Sequence, residues 1–473
     1  MIQGYAARDS VAVGESLWLH VSCDSSRFRV DFLRQGETLV RVGGSGWLEG
    51  CAATAPTHPD GTRGRADPAV DWAWPGYEFV VTADWKPGIY VAELHEAAAS
   101  GHRVTIPDRQ VFIVRPRYPG TLSPILYKVA TFTGHAYNAS DRGSSLYEKP
   151  VYVAHGVAGR PFGHKVSMRR PGDLRHFAAW DAPFVGWLER NGYDVEFCAD
   201  LDVHEDPQLL DVYRLVLSVG HDEYWSERMR NGVEAFVRGG GNVAFLGANT
   251  CWWRIHLTDE NTAFVSDTDH LVGDAFPHLP ATDQWWTPKP DGVGRPENSL
   301  TGVSFRNGGV WPYWYTDDDR PVLGFTVQHA AHWVYEGTGL RDGSGGGCAD
   351  VLGAGVALVG YECDGSAYDR DQRGVARANG RDGSPGSFLI LGIAVLDPID
   401  ADFYAQRPGA WLCTSREVGL VSPRAATMGI YTAGGTVFCA ATTNWPVILG
   451  QDADANVARI TRNVLNRLAL RGA

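Results

Sequence analysis

The sequence predicts an all-β region followed by an α/β region built on a doubly wound parallel sheet. Three observations support this prediction. The chain has 473 residues, too many for one ordinary core. Apolar and polar residues alternate up to residue 118, and beyond it continuously apolar strands alternate with segments of helical period. A proline-bearing stretch, RPRYPGTLSP at 115–124, lies between the two patterns, so we predict one domain at 1–118 and a second at 119–473.

The first region is predicted to contain short strands separated by turns. Apolar and polar residues alternate in VAVGESLWLHVSC, RFRVDFLRQG, YEFVVTADW, GIYVAELH and RQVFIVRP. Short strands at this spacing, with no helical segment between them, are typical of an immunoglobulin-like β-sandwich. Cys23 and Cys51 fall in this region, and a cytoplasmic protein does not require a disulfide between them.

The second region alternates strands and helices. Four segments are strongly apolar and predict strands: ILYKVATF at 125–132, YDVEFCA at 193–199, RLVLSVG at 214–220 and NVAFLG at 242–247. Helical spacing covers APFVGWLERNG at 182–192 and the segment after Ser226, which is the expected N-cap. This order predicts a parallel sheet with helices on both faces. The C-terminal third contains β-like segments and a last helix, and we assign it to the same domain as β-rich insertions.

Composition and charge limit the possible partners. A formal net charge of −13 argues against nucleic acids and anionic membranes, which bind basic surfaces. No apolar run approaches the ~18 residues that cross a bilayer, and the N-terminal MIQGYAARDS lacks the pattern of a signal peptide. We therefore expect a cytoplasmic protein. The 17 tryptophans and 56 glycines indicate aromatic-lined loops, which suit a small-molecule cavity or a large interface.

Polar side chains follow each of the four predicted strands. Because the carboxyl ends of parallel strands meet at one edge of a sheet, where ligands bind, these side chains form the candidate site. The loops are TFTGHAYNASDRG, DLDVH, HDEYWS and GANTCWWRIH. They supply the candidate residues His135, Tyr137, Asn138, His221, Glu223, Tyr224, Trp225, Asn249, Cys251, Trp252 and Trp253.

Each of these motifs also has a purely structural interpretation. Asp222 and Glu223 precede a helix, whose positive N-terminal end is stabilised by acidic residues. The segment HAYN could be an ordinary turn. Cys251 follows a strand as a catalytic nucleophile would, but the tight G-x-C-x-G turn is absent. In RPENSLTG at 295–302, Glu297 could cap a helix or pair with Arg295.

Several ordered motifs resemble one known family. GHAYNASDRGSSLY, FVGWLERNGYDVEFCADLDVH, LSVGHDEYWSERMR, FLGANTCWW, RPENSLTG, HWVYEGTGL and TVFCAATTNW are similar to segments of the large (beta) subunit of N,N-dimethylformamidase and its relatives. The resemblance covers most of residues 120–470, and the strands of the first region also fit it. It implies a flavodoxin-like sheet of the class I glutamine-amidotransferase type, without the usual cysteine nucleophile.

The resemblance also implies a function, a metal and partners. The named enzyme hydrolyses small amides and carries one iron, held by two tyrosines and a glutamate. Carried over to this chain, the ligands are Tyr137, Tyr224 and Glu297. Rivals are Tyr193 and Tyr147 for the second tyrosine, and Glu223 and Asp283 for the carboxylate. The named enzyme has a small second subunit, which is not evident in this chain, and the resemblance favours an assembly such as a homo-oligomer.

Iron-assisted hydrolysis of a C–N (amide) bond in a small molecule is therefore the leading hypothesis. Phenolate and carboxylate oxygens suit iron acting as a Lewis acid. His221 or Glu223 would transfer a proton from the water or to the leaving amine. Trp225, Trp252 and Trp253 would exclude bulk solvent, and His135, Asn138 and Asn249 complete the predicted pocket.

Three alternatives stay open at this point. One is an amidase that uses Cys251 as nucleophile, with His221 or His256 as its base. Another is a C–N lyase or cyclase in specialised metabolism, which would use the same site without hydrolysis. The third is a ligand-binding protein with no catalytic activity.

Overall fold

The computed structural model describes residues 1–57, 66–97, 106–138, 146, 151–153, 156–158, 165–266, 282–311, 322–396 and 424–470. Strands predominate over helices, and the fold class is α/β with additional β structure.

The described residues up to Arg115 form two sheets around one core. The strands are β1 (Ile2–Ala6), β2 (Ser10–Ala12), β3 (Ser16–Cys23), β4 (Arg27–Gln35), β5 (Leu39–Gly44), β6 (Leu48–Glu49), β7 (Gly76–Val80), β8 (Gly88–Glu96) and β9 (Asp108–Arg115). One sheet has the order β1–β3–β7, and the other has the order β2–β9–β8–β4–β5, with β6 beside β4. Leu19 of β3 and Phe32 of β4 meet in the same apolar core because alternate side chains of each strand point inward. The immunoglobulin-like topology and the boundary at residue 118 stay predictions.

A buried glutamate fixes the linker between the two regions. The carboxylate of Glu196 accepts hydrogen bonds from the backbone amides of Gly120 (2.7 Å), Leu122 (2.7 Å) and Ser123 (3.2 Å). The hydroxyl of Tyr213 donates to the same carboxylate. The linker therefore enters the second region in a defined position.

The largest sheet has nine strands and is mixed. Five neighbouring strands are parallel: β14 (Glu196–Ala199), β10 (Ile125–Val129), β15 (Leu215–His221), β17 (Asn242–Ala248) and β28 (Gly435–Cys439). The sheet continues with antiparallel strands: β27 (Ala425–Ala433), β26 (Leu389–Val395), β21 (Phe325–Val327) and β22 (Val351–Leu352). The four strands predicted from the sequence are thus parallel neighbours, and C-terminal segments extend the same sheet in antiparallel fashion.

Helices cover both faces of this sheet. They are α1 (Thr131–Tyr137), α2 (Ala182–Arg190), α3 (Asp200–Glu205), α4 (Glu227–Arg238), α5 (Asn298–Thr301), α6 (Trp445–Gly450) and α7 (Ala455–Ala469). Leu217 of β15 belongs to one apolar core with Trp187 of α2, whereas Val216 belongs to a second core with Met229 of α4. Burial on both faces explains why these strands are continuously apolar. The Oγ of Ser226 accepts a hydrogen bond from the backbone amide of Met229 (3.2 Å), which confirms the predicted N-cap of α4.

A four-stranded sheet lies beyond the carboxyl end of β15. Its strands are β13 (Lys165–Ser167), β19 (Ala263–Val265), β18 (Trp253–Thr258) and β16 (Tyr224–Ser226), in that order. Tyr224 pairs with Trp253 in the parallel ladder between β16 and β18. The chain therefore leaves the large sheet at His221 and joins a second sheet three residues later.

Three further strand pairs complete the described part of the chain. They are β11 (Val151–Val153) with β12 (Gly156–Ala158), β20 (Ser304–Trp311) with β23 (Tyr361–Gly365), and β24 (Tyr368–Arg370) with β25 (Ala376–Ala378). None of the helices within the described ranges combines the length and the apolar character needed to cross a bilayer.

Candidate active site

His221 is held between two carboxylates at the carboxyl end of a parallel strand. It is the last residue of β15 and is 2% exposed. Its Nε2 lies 3.2 Å from Oε2 of Glu223 and 3.0 Å from Oε2 of Glu362. The side-chain amide of Asn249, in the loop after β17, lies 3.2 Å from the same nitrogen. This is the edge at which α/β sheets bind ligands.

The two glutamates determine the charge of His221. Burial lowers the pKa of the imidazole, but the negative charges of Glu362 and Glu223 and their hydrogen bonds outweigh it and raise the pKa to about 10. At neutral pH the ring is therefore an imidazolium. An imidazolium can donate a proton but cannot accept one.

Tyr137 and Tyr224 lie beside this cluster. The hydroxyl of Tyr137, the last residue of α1, donates a hydrogen bond to Oε2 of Glu223 (2.7 Å). The ring centroid of Tyr137 is 5.3 Å from that of His221 and 6.3 Å from that of the fully buried Tyr224. Thr133 of α1 ties the elements together because its Oγ1 accepts from the backbone amides of Glu223 (2.9 Å) and Tyr224 (3.2 Å).

A buried ion cluster holds the segment that follows β15 in place. The ammonium of Lys128, on β10, lies 2.5 Å from Asp200 and 2.7 Å from Asp222, and all three side chains are almost fully buried. Asp222 also accepts from the hydroxyl of Ser218 (2.6 Å) and from the indole of Trp225 (3.0 Å). Asp222 therefore faces the protein interior, while its neighbours His221 and Glu223 meet Glu362 and Tyr137.

Two partly exposed aromatic rings lie beside His221. Trp180 belongs to a π-helical turn, Phe177–Asp181, and its ring centroid lies 5.6 Å from that of His221. Tyr361 is 41% exposed, and its ring centroid lies 6.4 Å from that of His221. The centroids of Tyr361 and Trp180 are 6.5 Å apart, and their ring planes are inclined by 19°.

The position of Trp180 depends on its neighbours. A Cβ atom on Gly220 would lie 2.4 Å from the Trp180 side chain, and Gly220 has a φ of +72°, so only glycine fits there. His176 immediately precedes the π-helical turn, and its Nε2 lies 2.8 Å from the carbonyl oxygen of His221. The strand end and the turn therefore fix each other, as is common where a π-helical turn lies at a functional site.

The sequence matches the family described as "N,N-dimethylformamidase beta subunit-like, C-terminal" over residues 29–457. The chain belongs to this family. It is 25% identical over 351 residues to the N,N-dimethylformamidase beta subunit of Alcaligenes sp, and 26% identical over 353 residues to that of Paracoccus aminophilus. These alignments cover 70% and 69% of this chain but 42% of each relative. The chain thus spans less than half the length of the curated relatives it matches.

Cys251, the predicted alternative nucleophile of this family member, is fully buried. Burial raises the pKa of its thiol to about 12, which leaves little thiolate at neutral pH. Asn249 and Cys251 have φ angles of +48° and +56°, so the loop after β17 is strained, as backbones at functional sites often are. His256, its predicted base, lies 2.9 Å from Asp283. These contacts do not support covalent catalysis, which stays a prediction without structural support.

Glu297, the carboxylate predicted for the metal, lies in a separate buried position. The hydroxyl of Ser304 donates to its Oε1, and its Oε2 has no hydrogen-bond partner within the described part of the chain. Burial raises the pKa of Glu297 to about 7. Burial and the negative charge of Glu297 raise the pKa of Asp364. The carboxylate of Asp364 accepts a hydrogen bond from the backbone amide of Asn249 (2.8 Å). Glu297 therefore lies behind the His221 cluster, and no contact between described residues joins it to either tyrosine.

The other predicted pocket residues contact several different partners. His135 pairs with Asp9 of the N-terminal region (2.8 Å), and Asn138 donates to the carbonyl of Pro171 (2.8 Å). The ring of Trp225 packs on the ammonium of Lys128 at 4.7 Å. Trp252 contacts the ring of Trp253 at 6.2 Å and that of Phe305 at 5.4 Å.

The rival tyrosines and carboxylate have other surroundings. Tyr193 donates to Asn466 of α7 (2.9 Å), and Asp283 accepts from Arg254 (3.0 Å). Tyr147 lies outside the described residues.

Three residues next to His221 were not predicted from the sequence: Glu362, His176 and Trp180. Glu362 lies in the β-like segment LVGYECDG, where two acidic residues interrupt an apolar pattern, and that interruption was a usable signal. His176 and Trp180 belong to a segment with no motif. Only the fold brings these residues to His221.

Proposed function

We propose that this chain hydrolyses the C–N bond of a small amide at the cluster formed by His221, Glu223 and Glu362. One observation supports this most directly: a buried imidazolium lies between two carboxylates at the carboxyl end of β15. The family adds a reaction class, since the relatives are named as subunits of N,N-dimethylformamidase.

The proton transfers follow from the charges of the cluster. Water attacks the carbonyl carbon, and the carboxylate of Glu362 accepts the proton that the water loses. The C–N bond then breaks, and Nε2 of His221 donates its proton to the leaving nitrogen, so that an acid and an amine are formed. Asn249 orients the base, because its side-chain amide donates a hydrogen bond to Oε2 of Glu362 (3.3 Å).

The iron implied by the family fits the oxygen donors beside this cluster. The contact between Tyr137 and Glu223 and the nearby ring of Tyr224 support these three residues as the side chains that would hold the metal. Glu223 is a better candidate than Glu297 because it already contacts one of the two tyrosines. When bound, iron supplies a Lewis acid for the carbonyl oxygen or the attacking water.

A panel of small amides tests the proposed reaction. We expect the purified chain to release amine from at least one secondary or tertiary amide, in equal amounts with the carboxylic acid, because hydrolysis yields both products. Amine and acid are quantified separately, since a lyase or cyclase would release one without the other. Substrate binding in the absence of both products would contradict the proposal and favour a binding protein.

Metal analysis tests the proposed ligands. We expect protein purified without chelators to hold close to one iron per chain, and the Tyr137→Phe and Tyr224→Phe variants to hold much less. Ferric iron bound to phenolate absorbs visible light, which gives a readout independent of activity. Tyr193→Phe is the matched control and is expected to keep its iron. Full activity of a preparation with no iron would rule the metal out.

The cytoplasmic location and assembly into a homo-oligomer are further proposals. The relatives are named beta subunits, which supports an assembly.

A further inference from the structure

A single threonine hydroxyl accepts hydrogen bonds from two consecutive backbone amides beside the His221 cluster. Oγ1 of Thr133, on α1, lies 2.9 Å from the amide nitrogen of Glu223 and 3.2 Å from that of Tyr224. All three residues are buried. Within the described part of the chain, β16, which begins at Tyr224, is an edge strand of its sheet. Buried amides at such an edge require an acceptor, and the Thr133 hydroxyl supplies it.

The other side of the same segment is held by the main chain. The carbonyl of Asp222 accepts from the amide of Cys251 (2.8 Å), and the carbonyl of Glu223 accepts from the amide of Trp253 (3.0 Å). On the side of α1, by contrast, the acceptor is a side chain. A substitution of Thr133 can therefore remove these hydrogen bonds without altering any backbone group.

Thr133 and Tyr137 hold the same residue at two points. They are four positions apart on α1, so their side chains lie on the same face of the helix. Thr133 contacts the main chain of Glu223, and the hydroxyl of Tyr137 donates to Oε2 of its carboxylate (2.7 Å). A helix of only seven residues depends on tertiary contacts for its position. Because a tilt of α1 moves the end of the long tyrosine side chain further than the backbone, loss of the Thr133 contact acts most strongly where the phenol meets the carboxylate.

We propose that Thr133 is a positioning residue of the active site: by capping the edge of β16, its hydroxyl holds the phenol of Tyr137 against the carboxylate of Glu223. Thr133 acts through these two residues and not by contact with the substrate. The inference rests on the proposed function, which places Glu223 in the reacting cluster. It goes beyond that function because it assigns a role to a residue outside the candidate set.

Valine at position 133 tests this role, since valine matches the shape of threonine but has no acceptor. We expect Thr133→Val to lower kcat for an amide by roughly tenfold to a hundredfold, because a group displaced by about 1 Å can cost a hundredfold. KM should change much less, because the side chain does not reach the substrate. Thr133→Ser keeps the hydroxyl and should restore most of kcat. If Thr133→Val does not fold, Thr133→Cys replaces it, because a thiol is a weak acceptor, and its kcat should fall below that of Thr133→Ser.

Thr461 provides a matched control. It is a fully buried threonine of α7, and its hydroxyl accepts a hydrogen bond from the indole of Trp445 (3.0 Å). Its neighbours on α7 belong to the apolar core that contains Trp187, whereas α1 packs in the other core. Thr461→Val should lower the free energy of unfolding, as Thr133→Val does, but leave kcat unchanged. Equal losses of kcat in the two variants would assign the effect of Thr133 to stability alone and overturn the inference.

Coupling between Thr133 and Tyr137 tests the inference without turnover. Urea denaturation of the native protein, Thr133→Val, Tyr137→Phe and the double variant measures the interaction between the two side chains. If Thr133 positions the phenol, Tyr137→Phe should destabilise the Thr133→Val background much less than the native protein. This result supports the positioning role even if no amide is hydrolysed, in which case the proposed reaction alone fails. Additive effects, or a kcat that Thr133→Val leaves unchanged, would overturn the inference and leave the proposed hydrolysis intact.

Discussion

Replacing His221 with glutamine is expected to lower kcat/KM for an amide by about a thousandfold, within the range that a general acid contributes. Glutamine keeps a polar group between Glu223 and Glu362 but has no proton to give to the leaving nitrogen. The loss should be much smaller for an activated ester such as p-nitrophenyl acetate, because its phenolate leaves without a proton. Initial rates with both substrates therefore separate proton donation from general damage to the site.

Two further variants make this result interpretable. His256→Gln is the same chemical change at a histidine paired with Asp283, and it should leave amide hydrolysis nearly unchanged. His221→Gln removes the cation between two carboxylates, so it should also lower the free energy of unfolding. Without the cation, the carboxylates of Glu223 and Glu362 repel each other. Adding Glu362→Gln removes one of these charges and should restore stability without restoring activity. Equal losses on amide and ester would contradict the role of His221 as the acid.

The part of the site on consecutive strand ends could be predicted from the sequence. β10, β14, β15 and β17 are buried on both faces, so they form apolar runs whose ends are visible as the first polar residues. His221, Glu223 and Asn249 follow from that rule, and they are in contact with one another or with the same partners.

Residues brought in by distant elements could not be predicted in the same way. Glu362 lies on β23, which is 141 residues beyond His221, and its pairing with β20 has no local signature. Trp180 reaches the site because Gly220 leaves room for its ring, a condition that depends on two separate segments. The predicted loop TFTGHAYN contains helix α1. The hydrogen bond from the backbone of Glu223 to Thr133 of this helix is a tertiary contact that local spacing does not show.

Replacing Lys128 with methionine is expected to lower the free energy of unfolding by about 3–5 kcal/mol, as removal of one partner from a buried ion pair does. Methionine fills a similar volume, but Asp200 and Asp222 would then be buried without a cation. Burial already raises the pKa of Asp200 to about 7, and Lys128 opposes that rise, so without Lys128 the pKa would be higher still. A carboxyl whose folded pKa is raised favours the folded state at low pH and loses that contribution as the pH rises. The difference in unfolding free energy between the native protein and Lys128→Met should therefore be larger at pH 8 than at pH 5. Urea denaturation at the two pH values measures it.

An exposed lysine–aspartate pair shows whether burial of the charges causes the loss of stability in Lys128→Met. Lys165 contacts Asp259 at 2.5 Å, the same distance as Lys128 to Asp200, but the two side chains are 32% and 52% exposed. Lys165→Met should cost no more than about 1 kcal/mol, since water screens such a pair. Combining Lys128→Met with Asp200→Asn and Asp222→Asn removes all three charges and should recover most of the stability. If the triple variant were as unstable as Lys128→Met alone, loss of the contact between the Lys128 ammonium and the Trp225 ring, and not the unpaired carboxylates, would be the source of the loss.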